Sequence, residues 1–250
     1  MSKNRKMAKV TAPARSTRNQ PAAQQQFDNV VKLGNRSYKR VELLPRNTAQ
    51  ETYVEALLSK RMVFAVGPAG TGKTLLAVLR AIQALRSQEI TKIIITRPAV
   101  SVDEKHGFLP GTLNEKMEPW TRPIFDVFEE YYGLAETAAM LEDGTIEIAP
   151  LGFMRGRTFK HAYVIADEMQ NATPDQMKML LTRIGERSCM VLTGDLKQHD
   201  RGFAQNGLKD FLDRLVGHRM SSMEVCKFGR EHIERDPLVA DVLEIYGEED

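Results

Sequence analysis

A chain of 250 residues, 42% apolar and 27% charged, has material for one α/β domain with a real core plus extensions, and reads as an ordinary globular protein. No apolar run approaches membrane-spanning length. The basic N-terminus lacks the apolar stretch and cleavage site of a secretory signal, so a cytoplasmic protein is expected.

Charge is unevenly placed behind a net value of +2. Lys3, Arg5, Lys6, Lys9, Arg15 and Arg18 all precede the first acid, Asp28, which leaves the rest of the chain net acidic. Residues 1–26, rich in Ala, Gln, Ser, Thr and Pro, are expected to form a disordered basic arm. It serves either as a solubilising leader or as a contact for nucleic-acid phosphates. Residues 27–60 read as a lead-in with a helix over about 50–60. Residues 61–250 alternate strands with helices, which predicts a mostly parallel sheet covered on both faces. Candidate strands are 62–66, 92–96, 146–149, 163–166, 190–193 and 223–228. Thr173 is predicted to cap a helix, with Pro174 in its first turn and Gln176 three residues after the cap. Met177, Leu180, Leu181 and Ile184 would line one face of it and Gly185 would stop it. Leu208, Phe211, Leu212 and Leu215 give a second apolar face, ending at Gly217. Pro237 opens a last helix carrying Leu238, Val239, Val242, Leu243 and Tyr246. Residues 97–123 break this rhythm, being long, charged and rich in Pro and Gly, and are expected to be a functional loop. Cys189 and Cys226 each sit in an apolar run. Two buried thiols are expected, a disulfide stays open, and no paired Cys/His spacing supports zinc.

Residues Gly67-Pro68-Ala69-Gly70-Thr71-Gly72-Lys73-Thr74 read G-x-x-x-x-G-K-T, between an apolar strand and a helix that continues from Leu75. That is a phosphate-binding loop. Its glycines let the backbone wrap so that N–H groups and the helix N-terminus face the phosphates. Lys73 would meet the β- and γ-phosphates, and the Thr74 hydroxyl would ligate Mg²⁺. ATP and Mg²⁺ are the expected cofactors.

The apolar run from Tyr163 to Ala166 ends in Asp167 and Glu168, which at the C-terminal edge of a parallel sheet face the ligand crevice. Asp167 would hold Mg²⁺ through its water shell, and Glu168 suits a general base acting on the attacking water. A second apolar strand ends in Thr193, Asp195 and Gln198, any of which could sense the γ-phosphate. Gln50, in the run Asn47-Thr48-Ala49-Gln50, offers both a donor and an acceptor and so matches the adenine edge. A surface glutamine at a helix start is the plainer reading. No Asn-Lys-x-Asp run follows the acidic strand, which disfavours guanine. A small-molecule kinase remains open, but the paired acids fit hydrolysis better.

Taken together, these motifs resemble the PhoH family of ATPases over roughly residues 40–247. The resemblance also rests on Thr96-Arg97-Pro98-Ala99-Val100 leading into Gly107-Phe108-Leu109-Pro110-Gly111, and on Phe153-Met154-Arg155-Gly156-Arg157-Thr158-Phe159. Further matches are Asp167-Glu168-Met169-Gln170-Asn171 and Thr193-Gly194-Asp195 with Gln198 and Asp200. The family resembles the first lobe of superfamily 1 helicases. It therefore implies a RecA-like P-loop NTPase fold, Gln50 reading adenine, Gln198 contacting the γ-phosphate, and ATP hydrolysis with RNA as partner. The family's phosphate-starvation label is not something these residues test. Some members carry a fused PIN-type nuclease; this chain has no room for one, so nuclease activity is not implied. One departure stands out. Asp236 replaces the usual histidine of a V-R-H-P-L-V run, here Ile233-Glu234-Arg235-Asp236-Pro237-Leu238-Val239.

Hydrolysis at such a site needs a cation on the transferring phosphoryl group, commonly an arginine from outside the lobe. A single lobe would take it from a neighbour, which implies a closed head-to-tail ring, by resemblance a homohexamer. Arg155 and Arg157 are the first candidates and Arg235 the next, each with a surface salt bridge as the alternative. Residues 97–123 hold Arg97, Lys105, His106, Lys116 and Arg122 with Phe108 and Trp120. This mix suits single-stranded RNA, or else packing at a subunit interface. The leading expectation is an oligomeric ATPase, possessing helicase-like activity on RNA. The alternative is an ATP-gated regulatory switch without nucleic acid.

Overall fold

Five-residue runs such as Met62–Val66 (MVFAV) and Ala162–Ala166 (AYVIA) are apolar at every position, the pattern of strands buried on both faces. In the computed structural model they lie at the centre of a six-stranded sheet in which every pairing is parallel. The structure describes residues 30–33, 36–98, 113–198, 206–218, 220–234, 238, 239 and 245, the side chains of 30–37 and 113–118 excepted. The expectations for residues 1–26 and for Lys105, His106, Phe108, Lys116, Asp200, Arg235 and Pro237 lie outside the described residues.

The chain divides into two units, Met1–Arg40 and Val41–Asp250. The first holds an antiparallel hairpin of β1 (Val30–Leu33) and β2 (Arg36–Lys39). The second holds the remaining elements. These are α1 (Thr48–Ser59), β3 (Met62–Val66), α2 (Lys73–Arg86), β4 (Lys92–Thr96), α3 (Leu113–Tyr132), α4 (Leu134–Glu142), β5 (Ile146–Ile148), β6 (Ala162–Ala166), α5 (Pro174–Leu181), β7 (Cys189–Gly194), α6 (Gly207–Leu215) and β8 (Met223–Lys227). Helix α1, expected within a lead-in ending at residue 60, packs inside this second unit and buries Tyr53, Ala56 and Leu57.

Strand order is β5-β4-β6-β7-β3-β8. Alternation along each strand sends side chains to two cores. Val63 and Ala65 face one cluster with Ile93, Ile95 and Ile165, covered by α1, α2 and α3 through Leu57, Ala77, Ile82 and Phe128. Phe64 and Val66 face the other with Ile94, Val164 and Leu192, covered by α5 and α6 through Met177, Leu180 and Leu208. This is an α/β sandwich, with helices on both faces of a parallel sheet and the phosphate-loop motif between β3 and α2. The strand before the phosphate loop, β3, is separated from the acidic strand β6 by β7, so the loop and both acids open onto one edge of the sheet.

Two expectations are corrected. Residues 113–132, half of which fell in the expected loop, form helix α3 with Pro119 and Pro123 inside it. Proline normally breaks a helix by removing a donor and crowding the preceding turn. Both prolines here face solvent, while Thr121, Ile124, Phe125 and Phe128 are buried, and the burial of that face outweighs the two lost backbone bonds. Helix α5 has the predicted capping box on Thr173 and Gln176 but ends at Leu181 rather than at Gly185. Ile184 forms a parallel bridge with Phe159, and the Arg183 carbonyl accepts from the Phe159 N–H at 2.9 Å, so this segment serves the sheet edge.

Candidate functional site

The loop from Gly67 to Thr74 curls over the C-terminal ends of β3 and β7. Gly67 must be glycine for reasons of space: a Cβ there would lie 2.3 Å from the Phe228 carbonyl oxygen. Gly72, the residue before α2, takes φ of 79°, which side-chain-bearing residues rarely adopt. Among the described residues, the backbone N–H groups of Gly70, Thr71, Gly72, Lys73 and Thr74 donate to no protein acceptor. Four of these, on Gly70, Gly72, Lys73 and Thr74, line a cleft of about 210 Å³ at a helix N-terminus and make a nest for polyanionic oxygens.

The loop is held from outside by α1. Gln50 is buried there, and its Nε2 donates to the Thr71 carbonyl at 3.2 Å, while its Oε1 accepts from Arg46 N–H at 2.8 Å. Tyr53, one turn further, donates from its hydroxyl to the Lys73 carbonyl at 3.0 Å. On the other side the Glu234 N–H donates to the Gly70 carbonyl at 2.9 Å, and Asn47 Nδ2 donates to Glu234 Oε1 at 3.1 Å. Tyr53 escaped the sequence reading, although its position three residues after Gln50 on one helix face was a usable signal.

Lys73 is folded back onto its own loop. Its ammonium donates to the carbonyls of Gly67 (2.8 Å) and Pro68 (2.6 Å) and to Thr71 Oγ1 (3.2 Å). Burial lowers its pKa, opposed by the carboxylates of Asp195, Glu168 and Asp167. One buried ammonium against three carboxylates leaves the cleft net negative, so a polyanion would enter it together with a divalent cation.

The acids stand where expected. Asp167 Oδ1 accepts the Thr74 hydroxyl at 2.9 Å and the Thr193 hydroxyl as well. Oδ2 faces Arg97 Nη1 at 3.8 Å. A carboxylate beside a loop threonine, with a second threonine fixing it, is an oxygen-only donor set that fits Mg²⁺ together with phosphate oxygens and waters. Glu168 lies beside it in the left-handed region, φ 53°, and lines the same cleft as Gln198. Gln170, to which the sequence reading gave no role, is nearly fully buried. It donates to Glu168 Oε2 and accepts from the Asp195 N–H at 3.1 Å, so it ties the candidate base to the β7 loop. Among the described residues Gln198 is anchored through its backbone, its N–H donating to the Asp195 carbonyl at 3.2 Å.

The candidate arginines separate. Arg157 makes a two-pronged pair with Glu147, at 2.5 and 2.9 Å, and stacks over Phe159 at 5.0 Å. Arg155 is exposed beside Phe153, itself 67% exposed, and no described residue pairs with it. A larger cavity, about 1090 Å³ and mostly apolar, runs along β8 and α6 from Gly67 past Leu212, Val216 and Val225; the polar chemistry belongs to the smaller cleft. No helix among the described residues is long and apolar enough to cross a membrane.

The family model described as PhoH-like protein matches residues 42–247. The chain belongs to this PhoH-like family. It is 46% identical over 203 residues to a PhoH-like protein of Bacillus subtilis, covering 80% of this chain and 63% of that protein. It is 43% identical over 208 residues to Protein PhoH of Escherichia coli K12, covering 82% of this chain and 58% of the relative. The chain thus spans about three fifths of the length of the curated PhoH-like relatives it matches. Among solved structures it overlaps the Pyrococcus furiosus Hef helicase domain (TM-score 0.41, 12% identity, 74% of this chain and 40% of that one). It also overlaps the Pif1 helicase of Candida albicans (TM-score 0.40, 17% identity, 80% and 44%).

Proposed function

We propose that this PhoH-like chain binds and hydrolyses ATP with Mg²⁺ as an oligomer, and couples turnover to single-stranded RNA. The observation that carries the reading is the cleft itself: four unclaimed loop N–H groups, the buried Lys73, the Thr74–Asp167–Thr193 cluster and Glu168 all open into one space. The loop donors would take the phosphate oxygens, and Lys73 would exchange its carbonyl partners for the β- and γ-phosphates. Thr74 and Asp167 would hold the metal ion, which when bound neutralises phosphate charge. Glu168, held by Gln170, would accept a proton from the attacking water, and Gln198 would sit at the γ-phosphate side. Gln50 is the proposed adenine contact, in exchange for its bonds to Arg46 and Thr71. Arg155, free of the pairing that occupies Arg157, is the better candidate for the finger that a neighbouring copy inserts.

The test is phosphate release from ATP, with and without single-stranded RNA, for the native chain and Glu168→Gln. Glu168→Gln is expected to bind ATP and to lose at least a hundredfold in turnover, the usual worth of a general base. RNA is expected to raise the native rate. A rate that RNA leaves unchanged but that still needs Glu168 would replace RNA coupling with a nucleotide-gated switch.

A further inference from the structure

One side chain touches both the metal-holding carboxylate and helix α3. Arg97 follows β4 directly. Its Nη1 lies 3.8 Å from Asp167 Oδ2 and donates to the Trp120 carbonyl at 3.1 Å. Its guanidinium carbon stands 5.8 Å from the centre of the Trp120 ring, and its Nε is buried without a partner among the described residues. Since Oδ1 of Asp167 is taken by two threonine hydroxyls, Arg97 supplies the positive charge on the remaining oxygen.

The carbonyl that Arg97 reaches lies in the weakest part of α3. Pro119 and Pro123 bracket it, and Pro123 offers no N–H to the Pro119 carbonyl, so the ladder is opened at this turn. Trp120 is the only tryptophan in the chain.

We infer that Arg97 is a positioning residue that reports metal-nucleotide occupancy at Asp167 to helix α3. The inference rests on the ATPase reading above. An ion pair at 3.8 Å with partly exposed partners is weak. A divalent cation arriving at the same carboxylate repels the guanidinium, and a nearby phosphate offers it a better partner. Either displacement draws Nη1 from its present bridge and changes the surroundings of Trp120. Nucleotide state thereby reaches a helix at the edge of the segment proposed to meet RNA.

Trp120 emission makes this measurable in the full chain. It is followed while a non-hydrolysable ATP analogue is added with Mg²⁺ or with EDTA, and binding of a fluorescently labelled ATP analogue is measured in parallel. The emission is expected to change on saturation with Mg²⁺ and the analogue, and to change far less in EDTA. Arg97→Ala should start from an altered emission, bind Mg²⁺ and the analogue without further change, and need about two- to fivefold less Mg²⁺ for half-saturation. Arg97→Lys keeps the charge but not the fork, so it should lose the emission change while keeping the native Mg²⁺ requirement. An unchanged native emission at saturation, an equal change in EDTA, or a full change in Arg97→Ala would each overturn the proposal. The native comparison with and without Mg²⁺ needs no variant. If the labelled analogue does not bind at all, the ATPase reading itself fails, and the binding measurement records that separately.

Discussion

Two arginines two residues apart do different work. Arg157 is spent on Glu147 and Phe159, so Arg157→Ala should lower stability by about 1 kcal/mol in denaturant melts. Arg155 is exposed and pairs with no described residue, so Arg155→Ala should stay within about 0.5 kcal/mol of the native chain. If it is the finger, the same substitution should cost about a thousandfold in phosphate release. Of the two thiols expected to be buried, Cys226 is and Cys189 is only half-buried; burial pushes the Cys226 thiol up to about 12 and raises Cys189 as well. A raised folded-state value favours the protonated form, so the stability this contributes is complete below the ordinary thiol pKa near 9 and is lost as pH rises towards 12. Iodoacetamide at mildly alkaline pH should leave Cys226 unlabelled in the native chain, label the half-buried Cys189 slowly, and label both after unfolding. At this scale the sequence was most informative where chemistry demands fixed spacing. Lys73, Thr74, Asp167 and Glu168 converge on one cleft because each sits at the end of a strand or the start of a helix that periodicity already located. Gln170 and the link from Arg97 to Trp120 were not legible. They act through side-chain reach across elements distant in sequence, which no local pattern records.

Helix α3 is where local reasoning failed, and the failure has a physical cause. Two prolines four residues apart argue for a loop on propensity alone, at roughly 3 kcal/mol each in a helix interior. The opposite face buries Ile124, Phe125 and Phe128 against α2 and the sheet, each contributing about 2 kcal/mol, and Val127, Tyr131 and Tyr132 pack on the same core, so tertiary burial prevails. Pro123→Ala should therefore stabilise the fold. The gain in helix propensity is reduced by the looser unfolded chain, leaving about 1–2 kcal/mol, readable as a higher melting temperature. The shortened α5 teaches the same lesson in reverse. Its apolar period continues to Ile184, but the edge of the sheet claims that residue first. The six strands of the parallel sheet were legible to within a residue or two because continuous apolar runs between polar turns leave few alternatives, whereas the hairpin of β1 and β2 was not predicted.

For the whole molecule, the proposed ring makes a prediction that no single copy can satisfy. Glu168→Gln copies would lack the base but carry Arg155; Arg155→Ala copies would keep the base but lack the finger. Each alone should be nearly inactive. Mixed in equal amounts and allowed to exchange, random neighbours should restore about a quarter of native phosphate release. No recovery, despite verified co-assembly, would mean that the cation is not supplied across an interface by Arg155. The order of the sheet carries a further consequence, for how the protein is made. Strand β3 pairs with β7 from Met190 and with β8 from Met223, so the strand that launches the phosphate loop finds both neighbours only after Met223 has been translated. Met62–Val66, apolar at every position, must wait on the ribosome or with a chaperone while more than half the chain is translated. A prematurely terminated product lacking β7 and β8 would expose that strand and have no nucleotide site, leaving it visible to quality control and incapable of titrating ATP from the complete molecule.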